Sequence, residues 1–227
     1  MNDLISVIIP VKNGSNYLPQ AISGILKQGM NVEIIVVDDA SSDSTAEIAQ
    51  KYNCKLIRHD ISKGPVVAKN SGLKVAGGKY IMFHDHDDIM KDNALKKLYE
   101  ELSSDSDCFA VEAKVKDFYS PDMPECEKNK TKIKPEAYWG LFTGAILIKK
   151  EAFDKIGLFD ENVSAGEIIS WQAKMDANGL KIKKLDFVST DRRIHQNNFG
   201  KKNKNTEFKD YAAILRAKIS GKLTNKI

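Results

Sequence analysis

The feature that most narrows the choice of folds is the spacing of short β-branched runs along the first 85 residues. "LISVIIPV" at 4–11 and "VEIIVVDD" at 32–39 are continuously apolar, the pattern of strands covered on both faces of a parallel sheet. Between them "SNYLPQAISGILKQG" carries apolar residues at helical spacing and closes on Gly29, giving a strand, helix, strand unit. "SSDSTAEIAQKY" opens with hydroxyl and carboxylate caps and then turns helical. "CKLIRH" reads as a third strand, "GPVVAKNSGLKVA" as a third helix ended by Gly77 and Gly78, and "KYIMFHD" as a fourth strand. This alternation predicts a doubly wound, mostly parallel α/β sheet, and such sheets bind ligands beyond the carboxyl ends of their strands. The rule brings Pro10 to Asn13, Asp38 and Asp39, and Asp85 to Asp88 to one edge.

The second half changes character. "DNALKKLYEELSSD" predicts an amphipathic helix, and 108–134 reads as strand and loop with weak specification. "WGLFTGAILIKKEAFDKIGLFDE" supplies a strand, a helix and a turn, and "GEIISWQAKMDANGLKIKKLD" another helix and strand. The expected organisation is a ligand-binding half at 1–105 fused to a smaller α+β half at 106–200 with one continuous core, followed by a basic amphipathic tail at 201–227. In that tail Phe208, Tyr211, Ala212, Ile214, Leu215 and Ile219 recur at helical spacing with lysines opposite. Two uses stay open: packing against the body or a second subunit as a homodimer, or peripheral docking on an anionic membrane surface.

A hydrophobic content of 42% is too high for disorder, and 35 basic against 31 acidic residues is too slight an excess to argue for nucleic acid. Cys54, Cys108 and Cys126 lack close-paired spacing, which fits a reducing cytoplasm, the inner membrane face included. No run approaches the ~20 apolar residues that span a bilayer, and the start of the chain does not read as a signal peptide.

"FHDHDDIM" at 83–90 concentrates three carboxylates and two histidines just past a strand. Alternate residues there, Asp85 and Asp87, point two hard oxygen donors at one pocket, which suits Mg²⁺ or Mn²⁺ held jointly with substrate phosphates. An isolated pair of this kind is as readily a solvated acidic turn. However, "SVIIPVKNGSNYL", "EIIVVDDASSDST", "GPVVAKNSGLKVAGGKYIMFHDHDD" and "FTGAILIKKEAFDKIGLFDE" follow one another in an order that resembles the family 2 glycosyltransferases with the GT-A fold.

That resemblance implies an inverting, metal-dependent transfer of a sugar from a nucleoside diphosphate donor, commonly UDP-linked, to an acceptor of unknown kind: glycan, lipid-linked or peptide. It implies that Pro10, Val11 and Asn13 lie against the base and ribose, and that Asp39 accepts a hydrogen bond from the base. Lys69 is implied near the diphosphate or base, Asp85 at the ribose, and His86 in the variable middle position. Asp87 is implied as metal ligand. "DRRIHQNNFG" resembles the family's late loop, so His195 is implied at the metal or diphosphate and Arg193 at a phosphate. Asp38 reads as a helix cap, and His84 and Asp88 as shaping the turn.

The pattern breaks at the general base. The family places an Asp after a Glu at a helix start; here the pair is Glu167 and Ile168. The chain thus resembles a subgroup of small members without that Asp, and Glu167 is the candidate base. A non-catalytic sugar-nucleotide-binding module is the rival. A nucleotidyltransferase would need a Gly- and Arg-rich phosphate loop after the first strand, which is missing. Trp171, one turn on, reads as core before acceptor wall.

Overall fold

A computed structural model describes residues 3–140, 142–163 and 166–198. The first half runs β1 (Ile5–Val11), α1 (Leu18–Leu26), β2 (Val32–Asp38), α2 (Thr45–Lys51), β3 (Lys55–Arg58), α3 (Pro65–Val75), β4 (Tyr80–Phe83) and a short β5 (Ile89–Met90). The second runs α4 (Ala94–Ser104), β6 (Cys108–Tyr119), α5 (Glu125–Lys130), a 3-10 turn at Thr143–Ala145, β7 (Ile146–Lys149), α6 (Lys150–Ile156), α7 (Glu167–Ala177) and β8 (Lys181–Ile194). The tail at 201–227 lies outside the described residues.

The eight strands among the described residues form one sheet in the order β3-β2-β1-β4-β7-β6-β8-β5. The four expected strands are parallel: β1 pairs with β2 and β4, and β2 with β3. β7 then joins β4 antiparallel and continues the sheet into the second half.

Alternation along β1 divides the core between the two faces of the sheet. Ile5, Val7 and Ile9 pack with Leu18, Ile22 and Ile25 of α1 and Leu95, Leu98 and Leu102 of α4. Ile8 packs with Ile35, Val37, Val66 and Leu73 on the other face. Each such side chain contributes about 1.5–3 kcal/mol when fully buried. Gly72 is where α3 touches the sheet, because a Cβ there would stand 2.4 Å from Cγ2 of Ile8.

Two strands exceed the sequence reading. The weakly specified stretch after Cys108 begins with β6, a 12-residue strand, and β8 runs for 14 residues to Ile194. β6 interrupts its apolar residues with Glu112, Lys114, Lys116 and Asp117, and β8 is rich in charged residues; their long mutual pairing holds both as strands. The expected late loop therefore begins only at His195.

Candidate active site

The carboxyl ends of the parallel strands open onto a cavity of about 750 Å³. Pro10, Val11 and Asn13 line it from the end of β1, and Asp39 from the end of β2. Lys69 of α3, then Asp85, His86 and Asp87 after β4, continue the wall. Glu167 at the start of α7 and His195 after β8 complete it from the second half. The loop after β1 is bolted to the loop after β2: Asn13 N–H donates to Ser41 Oγ at 2.8 Å, and Asn13 Oδ1 accepts from Ser42 N at 2.9 Å. His86 lies against Gly14, where a Cβ would come within 2.6 Å of the ring.

Asp39 is the most heavily bonded carboxylate of the site. Its Oδ1 accepts from Lys63 N at 2.8 Å and faces His59 Nδ1 at 2.7 Å. Its Oδ2 accepts from the Ser62 hydroxyl at 2.7 Å and Gly64 N at 2.9 Å. Burial alone would raise its pKa; the donors from Lys63, His59, Ser62 and Gly64 outweigh burial and hold it below the ordinary value. Asp39 thus anchors the segment leading into α3, and a base N–H reaching it must share or displace one of these donors. Asp38 is fully buried and accepts from Ser41 N at 2.8 Å, with Arg58 Nε 3.4 Å away. It fixes the turn before α2 rather than capping the helix; Asp43 bonds Thr45 N there.

Past β4 the adjacent carboxylates are driven apart. Burial opposes ionisation of Asp87, but the hydrogen bond from His195 and the nearby His86 pull it down to about 2. Asp88 is raised well above the usual range by burial and by the Asp87 and Asp85 charges, and its Oδ1 accepts from Arg193 N at 2.9 Å. Like charges in one buried site push neighbouring carboxyls in opposite directions in this way. His84 is fully buried, and burial lowers its pKa.

Asp87 Oδ2 receives His195 Nε2 at 2.8 Å and Asn198 Nδ2 at 3.1 Å. Asn197 N–H donates to His195 Nδ1 at 3.2 Å, so the ring proton sits on Nε2. His195 therefore stands here as the hydrogen-bond donor to Asp87, and ligation through Nε2 requires that proton to move. Among the described residues no group of three or more His, Cys, Asp or Glu is arranged as a metal cluster. The donor set fits a Mg²⁺ or Mn²⁺ shared with phosphate oxygens, where one or two carboxylates suffice, and does not fit a closed protein cage.

Lys69 lines the cavity and there meets a carboxylate. Its Nζ lies 2.5 Å from Glu167 Oε1, and both side chains are nearly enclosed. Asn70, the next residue on α3, donates to Phe159 O and Glu161 Oε1 at 3.0 and 2.9 Å and accepts from Phe159 N at 3.1 Å. Two adjacent residues of the first half thus tie down α7 and the turn before it. Trp171 is core: 1% exposed, its ring centroid 5.0 Å from that of Phe153.

Arg193 is the clear correction. It does not line the cavity: Nε donates to Asp87 O at 2.8 Å and Nη2 to Gln20 Oε1 at 2.6 Å, with the guanidinium between the rings of Tyr17 and Phe118. Strand alternation explains the miss, because β8 includes both arginines and turns neighbours to opposite faces. Arg192 faces the cavity instead, over the Phe142 ring and 3.6 Å from Asp117. Two further residues of the site lack a sequence signal of their own: Asn198, three positions after His195, and Tyr17, whose ring centroid lies 5.1 Å from that of His195.

A mixed α/β sheet in which β7 and β5 run against the other strands, with its cleft at the carboxyl ends of β1, β2 and β4, is a GT-A fold, and comparison with solved structures agrees. S. aureus TarS 1-349 in complex with UDP superposes with a TM-score of 0.73 at 21% identity, over 100% of this chain and 67% of that one. The mannosyltransferase PcManGT from Pyrobaculum calidifontis, in complex with GDP-Man and Mn²⁺, gives 0.72 at 16% identity, over 100% and 66%. The family model for glycosyl transferase family 2 matches residues 6–157, and the chain belongs to that family. Glycosyltransferase GlyG of Streptococcus pneumoniae serotype 4 is 42% identical over 108 residues, 45% of this chain and 36% of GlyG. The chain spans only part of that relative's length.

Proposed function

We propose that this chain transfers a sugar from a nucleoside diphosphate donor, UDP-linked, to an acceptor hydroxyl with inversion at the anomeric carbon. The observation that carries the reading is the convergence of Asp39, the pair Asp85 and Asp87, and Glu167, from three separate segments, on one cavity. The nucleoside lies along Pro10 to Asn13 and Asp39, the ribose at Asp85 beside His86, and the diphosphate toward Asp87. Asp87, with His195 beside it, would hold a Mg²⁺ or Mn²⁺, whose charge would neutralise the leaving diphosphate. Glu167 accepts the proton of the acceptor hydroxyl while its oxygen bonds to the anomeric carbon. The bond from that carbon to the diphosphate breaks, and its electron pair leaves on the diphosphate oxygen. The UDP and the GDP-Man with Mn²⁺ bound by the structural neighbours support the donor class.

One observation favours a second reading. Ile168, where the family's Asp would stand, is 3% exposed and packs in the core. A module that binds sugar nucleotides without turnover would tolerate that residue. Release of nucleoside diphosphate from a panel of UDP- and GDP-sugars, with and without Mn²⁺, separates the two. Metal-dependent release supports transfer, and binding with no release from any donor supports the module.

The tail, with its membrane and dimer readings, falls outside the described residues. Within them, no helix is long and apolar enough to cross a membrane.

A further inference from the structure

We infer that Lys69 is the positioning residue of Glu167, so that in this chain a buried Lys–Glu pair stands in for the single Asp missing at Ile168. The inference rests on the reading of Glu167 as the base. The side chains are 8% and 11% exposed, and they meet at 2.5 Å. Enclosing a carboxylate charge is costly unless a cation is paired with it, and a general base acts in the charged form. Lys69 supplies the cation. Burial opposes its charge, and the Glu167 carboxylate, the nearby Asp85 and the hydrogen bond more than restore it.

The lysine is also fixed from behind. Asp39 holds the N-terminal end of α3 through Lys63 N and Gly64 N, and Asn70 holds the 159–161 turn. Lys69 projects between these anchors across to the first residue of α7, 98 positions away in sequence. Leaving Glu167 for a diphosphate would strand a buried carboxylate, at a cost that mere repositioning of an exposed lysine would not carry. When Glu167 takes the acceptor's proton, Lys69 keeps its charge beside Asp85, and loss of that proton to solvent restores the pair.

The test compares Lys69→Met, Lys69→Arg, Glu167→Gln and the double variant Lys69→Met/Glu167→Gln. UDP affinity is read by calorimetric titration with Mn²⁺, UDP release by kcat and KM for the UDP-sugar that wild type turns over, and folding by the unfolding midpoint. Lys69→Met is expected to lower kcat by about a hundredfold, the scale on which misplacing a catalytic group acts, with UDP affinity and KM kept. Lys69→Arg is expected to recover most of the loss, and the double variant to be no slower than Glu167→Gln alone. If Lys69→Met fails to fold, Lys69→Gln and the double variant, which leaves no unpaired charge, carry the comparison. A rise in KM and weaker UDP binding with kcat kept would overturn the inference and return Lys69 to the diphosphate. Multiplicative losses in the double variant would overturn it too. Wild-type kcat in Glu167→Gln would instead remove the base reading itself, and a distinct result marks each failure.

Discussion

His59 Nδ1 lies 2.7 Å from Asp39 Oδ1, and Nε2 of the same ring lies 3.0 Å from Ser71 Oγ on α3. The imidazole thereby links the carboxylate at the end of β2 to the helix that carries Lys69. His59→Ala removes one of four donors from a buried carboxylate and leaves the Ser71 hydroxyl without its ring partner. The expected destabilisation is about 1–3 kcal/mol, a drop of several degrees in unfolding midpoint, with UDP binding weakened. His59→Asn, which offers one donor to Asp39, is expected to recover part of both.

The pH dependence of Asp39 follows from its direction of shift. Its folded pKa lies below the ordinary carboxylate value, so its stabilisation is present above about pH 4 and is lost as pH falls through the lower folded value. Asp39→Asn is therefore expected to unfold at lower temperature than wild type at pH 7. The gap is expected to narrow as pH falls below 4, measured by circular dichroism melts across that range.

Gly14 sits at a close approach between strand-end loops. A Cβ there would come within 2.3 Å of Val11 Cγ2 as well as 2.6 Å of His86. Gly14→Ala is expected to cost about 1–3 kcal/mol from overpacking and to weaken UDP binding by displacing His86. Equal UDP affinity in titrations of the variant and wild type would contradict that placement.

The neighbouring arginines are expected to separate stability from catalysis. Arg193→Ala removes a buried cation with bonds to Asp87 O and Gln20, and is expected to destabilise by on the order of 3 kcal/mol. Arg192→Ala, which leaves Asp117 the hydrogen bond from Tyr138, is expected to destabilise less than Arg193→Ala while changing turnover. Melts and UDP-release rates on the two variants check this.

The sequence made the first half legible and hid much of the second, for physical reasons. β1, β2 and β4 are covered on both faces, so continuous runs such as Ile5 to Val11 announce them. β6 and β8 are held by pairing with each other, and their Lys114, Lys116 and Lys183 mask the strand signal. Because "DRRIHQNNFG" reads as a loop, the strand alternation that sends Arg192 into the cavity and Arg193 away from it does not show in the sequence. The carboxylates of the site were legible because they follow strand ends. Their partners were not: His59, Ser62 and Asn198 gain their roles from how loops close, and Lys69 meets Glu167 only once α3 and α7 have packed.

The most direct measurement is electron density from crystals grown with UDP and Mn²⁺. The uridine is expected against Pro10 to Asn13 and Asp39, with the diphosphate and the ion at Asp87. Nucleotide bound on another face, with this cleft empty, would contradict it.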